Sequence, residues 1–108
     1  MTVKEIAQAA EFKILSMPNP DREVKGVYIG DLLSWVMGRA GESNAWITIM
    51  SNINVVAVAS LADVSCVILS EGVELTADVL KAAEEKGINI LSSKLPSYET
   101  AVSISGMA

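Results

Sequence analysis

The chain has 108 residues, of which 51% are apolar but only 5% aromatic, and a formal net charge of −5. This length makes one domain, residues 1–108, with a core of Val, Ile, Leu, Ala and Met rather than of stacked rings. Nucleic acid is excluded as a partner, because a phosphate backbone needs clustered Lys and Arg and no basic run occurs.

Thr2 and Glu5 have the spacing of a capping box, with Val3, Ile6, Ala7 and Ala10 on one face behind them, which predicts a short first helix. Residues 12–17 (FKILSM) alternate apolar and polar and predict a strand, stopped by Pro18 and Pro20. Residues 24–29 form a weak extended segment broken by Gly26 and Gly30. Asp31 stands where an N-cap would, ahead of a helix reaching Arg39 with Leu32, Leu33, Val36 and Met37 inward and Gly38 and Gly41 helping to end it. Residues 45–50 (AWITIM) read as a strand rich in β-formers.

Residues 54–63 (NVVAVASLAD) are ambiguous, since their valines suit a strand. No hairpin turn separates them from the strand at 65–69, so a buried helix capped by Asn52 or Asn54 is the better reading. Ser70-Glu71-Gly72 is a loop. Thr76 then caps a helix with Asp78 in its first turn, Lys86 in its last and Gly87 at its stop, charges that suit the helix dipole. Residues 88–91 are a strand, and Ser97 caps a final helix over 98–105 that Gly106 ends. Strands alternating with helices across short loops predict an α/β fold, three layers α/β/α with a mostly parallel central sheet.

Asp63 is the only charge between Ser43 and Ser70. A membrane-spanning reading of that run is disfavoured, since an aspartate near the middle costs roughly 2.5–3.5 kcal/mol on insertion scales. A buried core accounts for the run better. Cys66 is the single cysteine and has no internal disulfide partner. With no secretory leader in MTVKEIAQAAEF, the expected location is cytoplasmic.

At Asp31-Leu32-Leu33-Ser34, Trp46-Ile47-Thr48, the run NVVAVASL from Asn54 to Leu61, and Ile68 to Gly72, the chain resembles the DRTGG domain family. The likeness continues through residues 82–90, a helix ending in glycine followed by a buried strand. It implies an α/β/α fold like the N-terminal domain of HPr kinase, with residues 54–61 helical. It also implies a dimerising, regulatory or ligand-sensing role. Short members of this type resemble proteins encoded beside iron-only hydrogenases. Relatives often carry a histidine after the Trp-Ile-Thr strand, where this chain has Met50-Ser51-Asn52-Ile53-Asn54 and no histidine anywhere.

In a parallel sheet, ligands bind beyond the carboxyl ends of the strands. Those ends here are Ser51, Asn52 and Asn54; Ser70, Glu71 and Gly72; and Ser92, Ser93 and Lys94. They are candidate ligands for a small anion such as a nucleotide, against plain helix capping, the commoner use of Asn and Ser. Glu71, Glu74 and Asp78 match no cation-loop spacing and read as a solvated surface. Cys66, inside an apolar strand, reads as an inert buried thiol. Gly38 to Ser43 lacks the Gly-Lys-Ser/Thr ending of a phosphate loop. Trp35, at the edge of its helix's apolar face, is a candidate interface anchor.

No metal site, cofactor fingerprint or catalytic constellation is written in the chain, so no enzyme and no cofactor are expected. The first expectation is a non-catalytic regulatory or interaction module, a homodimer acting with a protein partner in a hydrogenase or redox system. The second is a sensor of a small anionic ligand at the strand-end rim.

Overall fold

In the computed structural model, which describes residues 1–108, five helices and five strands follow one another in the expected α/β pattern. The helices are α1 (Val3–Ala9), α2 (Leu33–Arg39), α3 (Asn54–Ala62), α4 (Ala77–Lys86) and α5 (Ser97–Ile104). The strands are β1 (Lys13–Ser16), β2 (Val27–Ile29), β3 (Ala45–Thr48), β4 (Cys66–Leu69) and β5 (Ile90–Ser92). They form one five-stranded sheet in the order β1-β5-β4-β3-β2. Neighbours from β2 to β5 are parallel, with Ile29 beside Ile47, Ile47 beside Ile68 and Ile68 beside Leu91. β1 lies antiparallel on β5, with an irregularity between Ile14 and Ser16.

Alternation along each strand divides the interior in two. Trp46, Val67, Leu69 and Ile90 point to the layer of α2, α3 and α4, where they meet Val36, Val55, Val56, Val79 and Ala83. Ala45, Ile47, Cys66, Ile68 and Leu91 point the other way, to Val3, Ile6 and Ala7 of α1 and Ile104 of α5. The central strands β3 and β4 are thus covered on both faces, which is why their sequences are continuous apolar runs.

α1 carries the capping box as written: Glu5 N–H donates to Thr2 Oγ1 at 3.2 Å and Thr2 N–H to Glu5 Oε1 at 2.9 Å. Those bonds to Thr2 hold the Glu5 carboxyl below its ordinary range. α3 buries Val55, Val56, Val58 and Ala59 and ends at Asp63, whose φ of 56° is left-handed. Arg22 holds that turn, donating to Asp63 Oδ1 at 2.8 Å and to its carbonyl at 2.7 Å. The lone charge of the apolar run is therefore a helix terminator. No helix is long and apolar enough to cross a membrane.

Four caps differ from expectation; that of α3 is Ile53, with no side-chain bond. The Asp31 carboxylate does not cap α2; it accepts from the Thr48 hydroxyl at 2.8 Å and the Ile49 N–H at 3.0 Å, tying off β3. Thr48 is fully buried, and a buried hydroxyl left unpaired costs more than an open, exposed helix end. The Thr76 hydroxyl donates to the Asp78 carboxylate rather than accepting from the backbone, which lowers the Asp78 pKa. Ser97 lies inside α5, after Pro96 at the N-cap.

α2 also buries less than its pattern predicts. Only Val36 is fully buried, while Leu32 and Met37 are exposed, because this short helix packs chiefly against α3. Gly38 sits inside it, and the chain leaves at Ala40.

Burial pushes the Cys66 thiol from its ordinary 9.0 up to about 12. Native protein at pH 8 should therefore resist iodoacetamide and become alkylated only when unfolded, as mass spectrometry will read. The raised value also fixes a sign. The native state keeps its proton where the unfolded chain has lost it, so stability should fall above pH 9 by up to ~1.4 kcal/mol per pH unit.

Candidate functional site

The carboxyl ends of β4 and β5 are fastened to one another. Ser93 N–H donates to the Leu69 carbonyl at 2.7 Å, Gly72 N–H to the Ser93 carbonyl at 2.8 Å, and Glu71 N–H to the Leu95 carbonyl at 2.8 Å. Glu71 and Gly72 take left-handed φ values of 62° and 67°, which reverses the chain there. Two hydroxyl pairs then dock α5 beneath this rim: Ser70 with Ser97 at 2.7 Å and Ser93 with Thr100 at 2.8 Å. Ser70 and Ser93 are buried and engaged. Ser93 lies in the lining of the adjoining site, and Ser70 does not.

A cleft of about 410 Å³ opens beside that rim. Of the nine residues the sequence nominated, it gathers Gly72, Ser92, Ser93 and Lys94. Glu71 and Ser70 are not in the lining. Ser51, Asn52 and Asn54 are outside it altogether and start α3: Asn52 Oδ1 accepts from Asn54 N–H at 2.9 Å, and its carbonyl accepts from Val55 N–H at 3.1 Å. The N-cap of α3 is Ile53 with no side-chain bond to the helix, so neither Asn52 nor Asn54 caps it as expected, and Asn52 instead closes a turn just ahead of it.

The remaining lining comes from segments that a strand-end argument misses. Glu11 and Phe12 enter from the α1–β1 connection, Lys13 and Leu15 from β1 itself, and Val73, Glu74 and Leu95 from the loops after β4 and β5. Antiparallel pairing of Lys13 with Ser92 carries the start of β1 to the same rim as the end of β5. Lys13 and Lys94 thus stand in one lining with Glu11 and Glu74. Nothing in the sequence pairs β1 with β5, although Lys13 in a strand-like run marks an edge position. No group of three or more His, Cys, Asp and Glu side chains is placed to hold a metal ion.

On a different surface, Trp35 is 53% exposed with the Arg39 guanidinium 3.8 Å above its ring. The other tryptophan, Trp46, is fully buried and donates its indole N–H to the Gly30 carbonyl at 2.9 Å.

The family model of the DRTGG domain matches residues 5–107. The chain belongs to the DRTGG domain family. A crystal structure of the CBS and DRTGG domains of the regulatory region of Clostridium perfringens pyrophosphatase, complexed with the activator diadenosine tetraphosphate, superposes with a TM-score of 0.77 at 13% identity. The match covers 95% of this DRTGG domain and 45% of that chain, so the domain spans less than half of its neighbour's length. At that identity the likeness is one of fold, and it bears out the α/β architecture. A comparison with curated proteins gives no match.

Proposed function

We propose that this DRTGG domain is a non-catalytic, cytoplasmic regulatory module that takes a small anionic ligand, a nucleotide or similar molecule, in the cleft between β1 and the ends of β4 and β5. The observation that carries the reading is the lining itself. Chain segments far apart in sequence bring Lys13 and Lys94 to one concave site, with backbone and serine groups between them. Ammonium groups suit phosphate oxygens, and Glu11 and Glu74 suit the amino or hydroxyl groups of a nucleoside. Membership of a family found in a regulatory region crystallised with a nucleotide activator supports this reading.

Isothermal titration with ATP and with diadenosine tetraphosphate tests it. The wild-type domain should bind one of them, and Lys94→Glu should weaken that binding at least tenfold. The exposed side chain makes no ion pair, so its loss should leave stability within about 0.5 kcal/mol. No heat from either nucleotide, together with no retained small molecule in native mass spectra, would overturn the reading.

Exposed Trp35 favours a second role on another surface: self-association as a homodimer and docking on a protein partner. The partner we propose lies in a hydrogenase or redox system, on the sequence resemblance to short members encoded beside iron-only hydrogenases alone.

A further inference from the structure

The two edges of the sheet differ in a way that bears on self-association. The β1 edge is guarded: it carries Lys13, an irregular register between Ile14 and Ser16, and Pro18 just beyond. The β2 edge is only three residues long and has no charge, proline or irregular register within the strand. Gly26 C=O and Gly30 N–H, on either side of β2, bond to Ala45 and Ile47 of β3. By strand alternation, the N–H and C=O groups of Val27 and Ile29 therefore point away from the sheet. Their side chains are 36% and 49% exposed.

We propose that two copies of this chain pair their β2 strands antiparallel about a two-fold axis at Tyr28, joining both sheets into one. The proposal specifies the self-association of the preceding section and rests on it. About that axis Val27 of one copy faces Ile29 of the other, and each such pair exchanges both of its main-chain hydrogen bonds. The flanking positions bring Gly26 opposite Gly30, so no side chain intrudes. The ladder ends there, because the left-handed Gly26, with φ of 86°, and the bonds of Lys25 to Ser43 and Asn44 turn the chain back to its own sheet. The two-fold also sets both α2 helices on one face of the joined sheet. This isologous contact closes on itself and stops at the dimer.

Sedimentation velocity of the full chain tests the pairing. The wild type should sediment at twice its 11.4 kDa mass, and Ile29→Lys should raise the dimer Kd at least tenfold. Tyr28→Cys supplies a second reading should Ile29→Lys fail to fold. Cα atoms at the axis would lie about 4.5 Å apart, so mild oxidation should link the two copies while buried Cys66 stays free. A wild-type dimer unaffected by Ile29→Lys overturns the β2 pairing but leaves self-association standing, with Trp35→Ala as its remaining probe. Dissociation by Ile29→Lys without a Tyr28→Cys link overturns the axis proposed here. A monomer at every concentration overturns both.

Discussion

Trp46→Ala should be among the most damaging single substitutions in this domain, lowering stability by about 3–5 kcal/mol in urea unfolding. Trp46 is the largest fully buried side chain in a core otherwise made of small aliphatic groups. Val36, Val55, Val56 and their neighbours are too short and too branched to swing into the space it would leave. The indole also holds the Gly30 carbonyl, which follows β2, so the substitution deprives that carbonyl of its partner as well. Small domains have only about 5–15 kcal/mol to lose, and the variant should be partly unfolded at 37 °C. Trp46→Phe separates the two contributions. It keeps most of the ring and loses the N–H, so it should cost about 1–2 kcal/mol. A cost for Trp46→Ala below that of Trp46→Phe would refute this account of the core.

Asn89→Ala should rank next, at about 3 kcal/mol, although it removes few atoms. The Asn89 amide is 98% buried in effect, with 2% exposure, and serves three backbone groups at once. Its Oδ1 accepts from Asn19 N–H at 2.9 Å, and its Nδ2 donates to the Asn19 carbonyl at 2.7 Å and the Ser65 carbonyl at 3.0 Å. It thereby pins the Pro18–Pro20 turn to the approach of β4. Truncation strands all three groups, and each costs about 1–3 kcal/mol where water does not replace the lost bond. Asn89→Asp is the sharper variant, because a carboxylate cannot donate to either carbonyl. It should be at least as unstable as the alanine at neutral pH. Chemical denaturation of both variants checks the order.

Much of the fold was legible because its signals are local. The Thr2–Glu5 box, the Gly87 stop and the alternating element pattern act within a few residues, and each stands where expected. The 54–63 run was harder, and the missing turn between it and the next strand decided it. Asp31 misled for a physical reason: a carboxylate before a helix can serve that helix or a distant strand end, and the buried Thr48 hydroxyl outbids the helix. The candidate site was only half legible. A strand-end argument reaches Ser92, Ser93 and Lys94, but not Lys13, whose place depends on β1 reversing direction against β5. Pairing partners 74 to 79 residues apart are set by the packed whole, which no short window of sequence contains.

The ends of the chain meet. The Met1 ammonium donates to the Met107 carbonyl at 3.2 Å, and Thr2 bridges Glu23, whose carbonyl accepts from Ser65 just ahead of β4. Both ends therefore leave from the amino-terminal side of the strands, across the sheet from the cleft. A tag, surface tether or fused domain on either end would leave the cleft mouth open, and immobilised protein should present it to solvent. A loop of a host protein has its own two ends close together, so this domain can be spliced there as a cassette without stretching either junction.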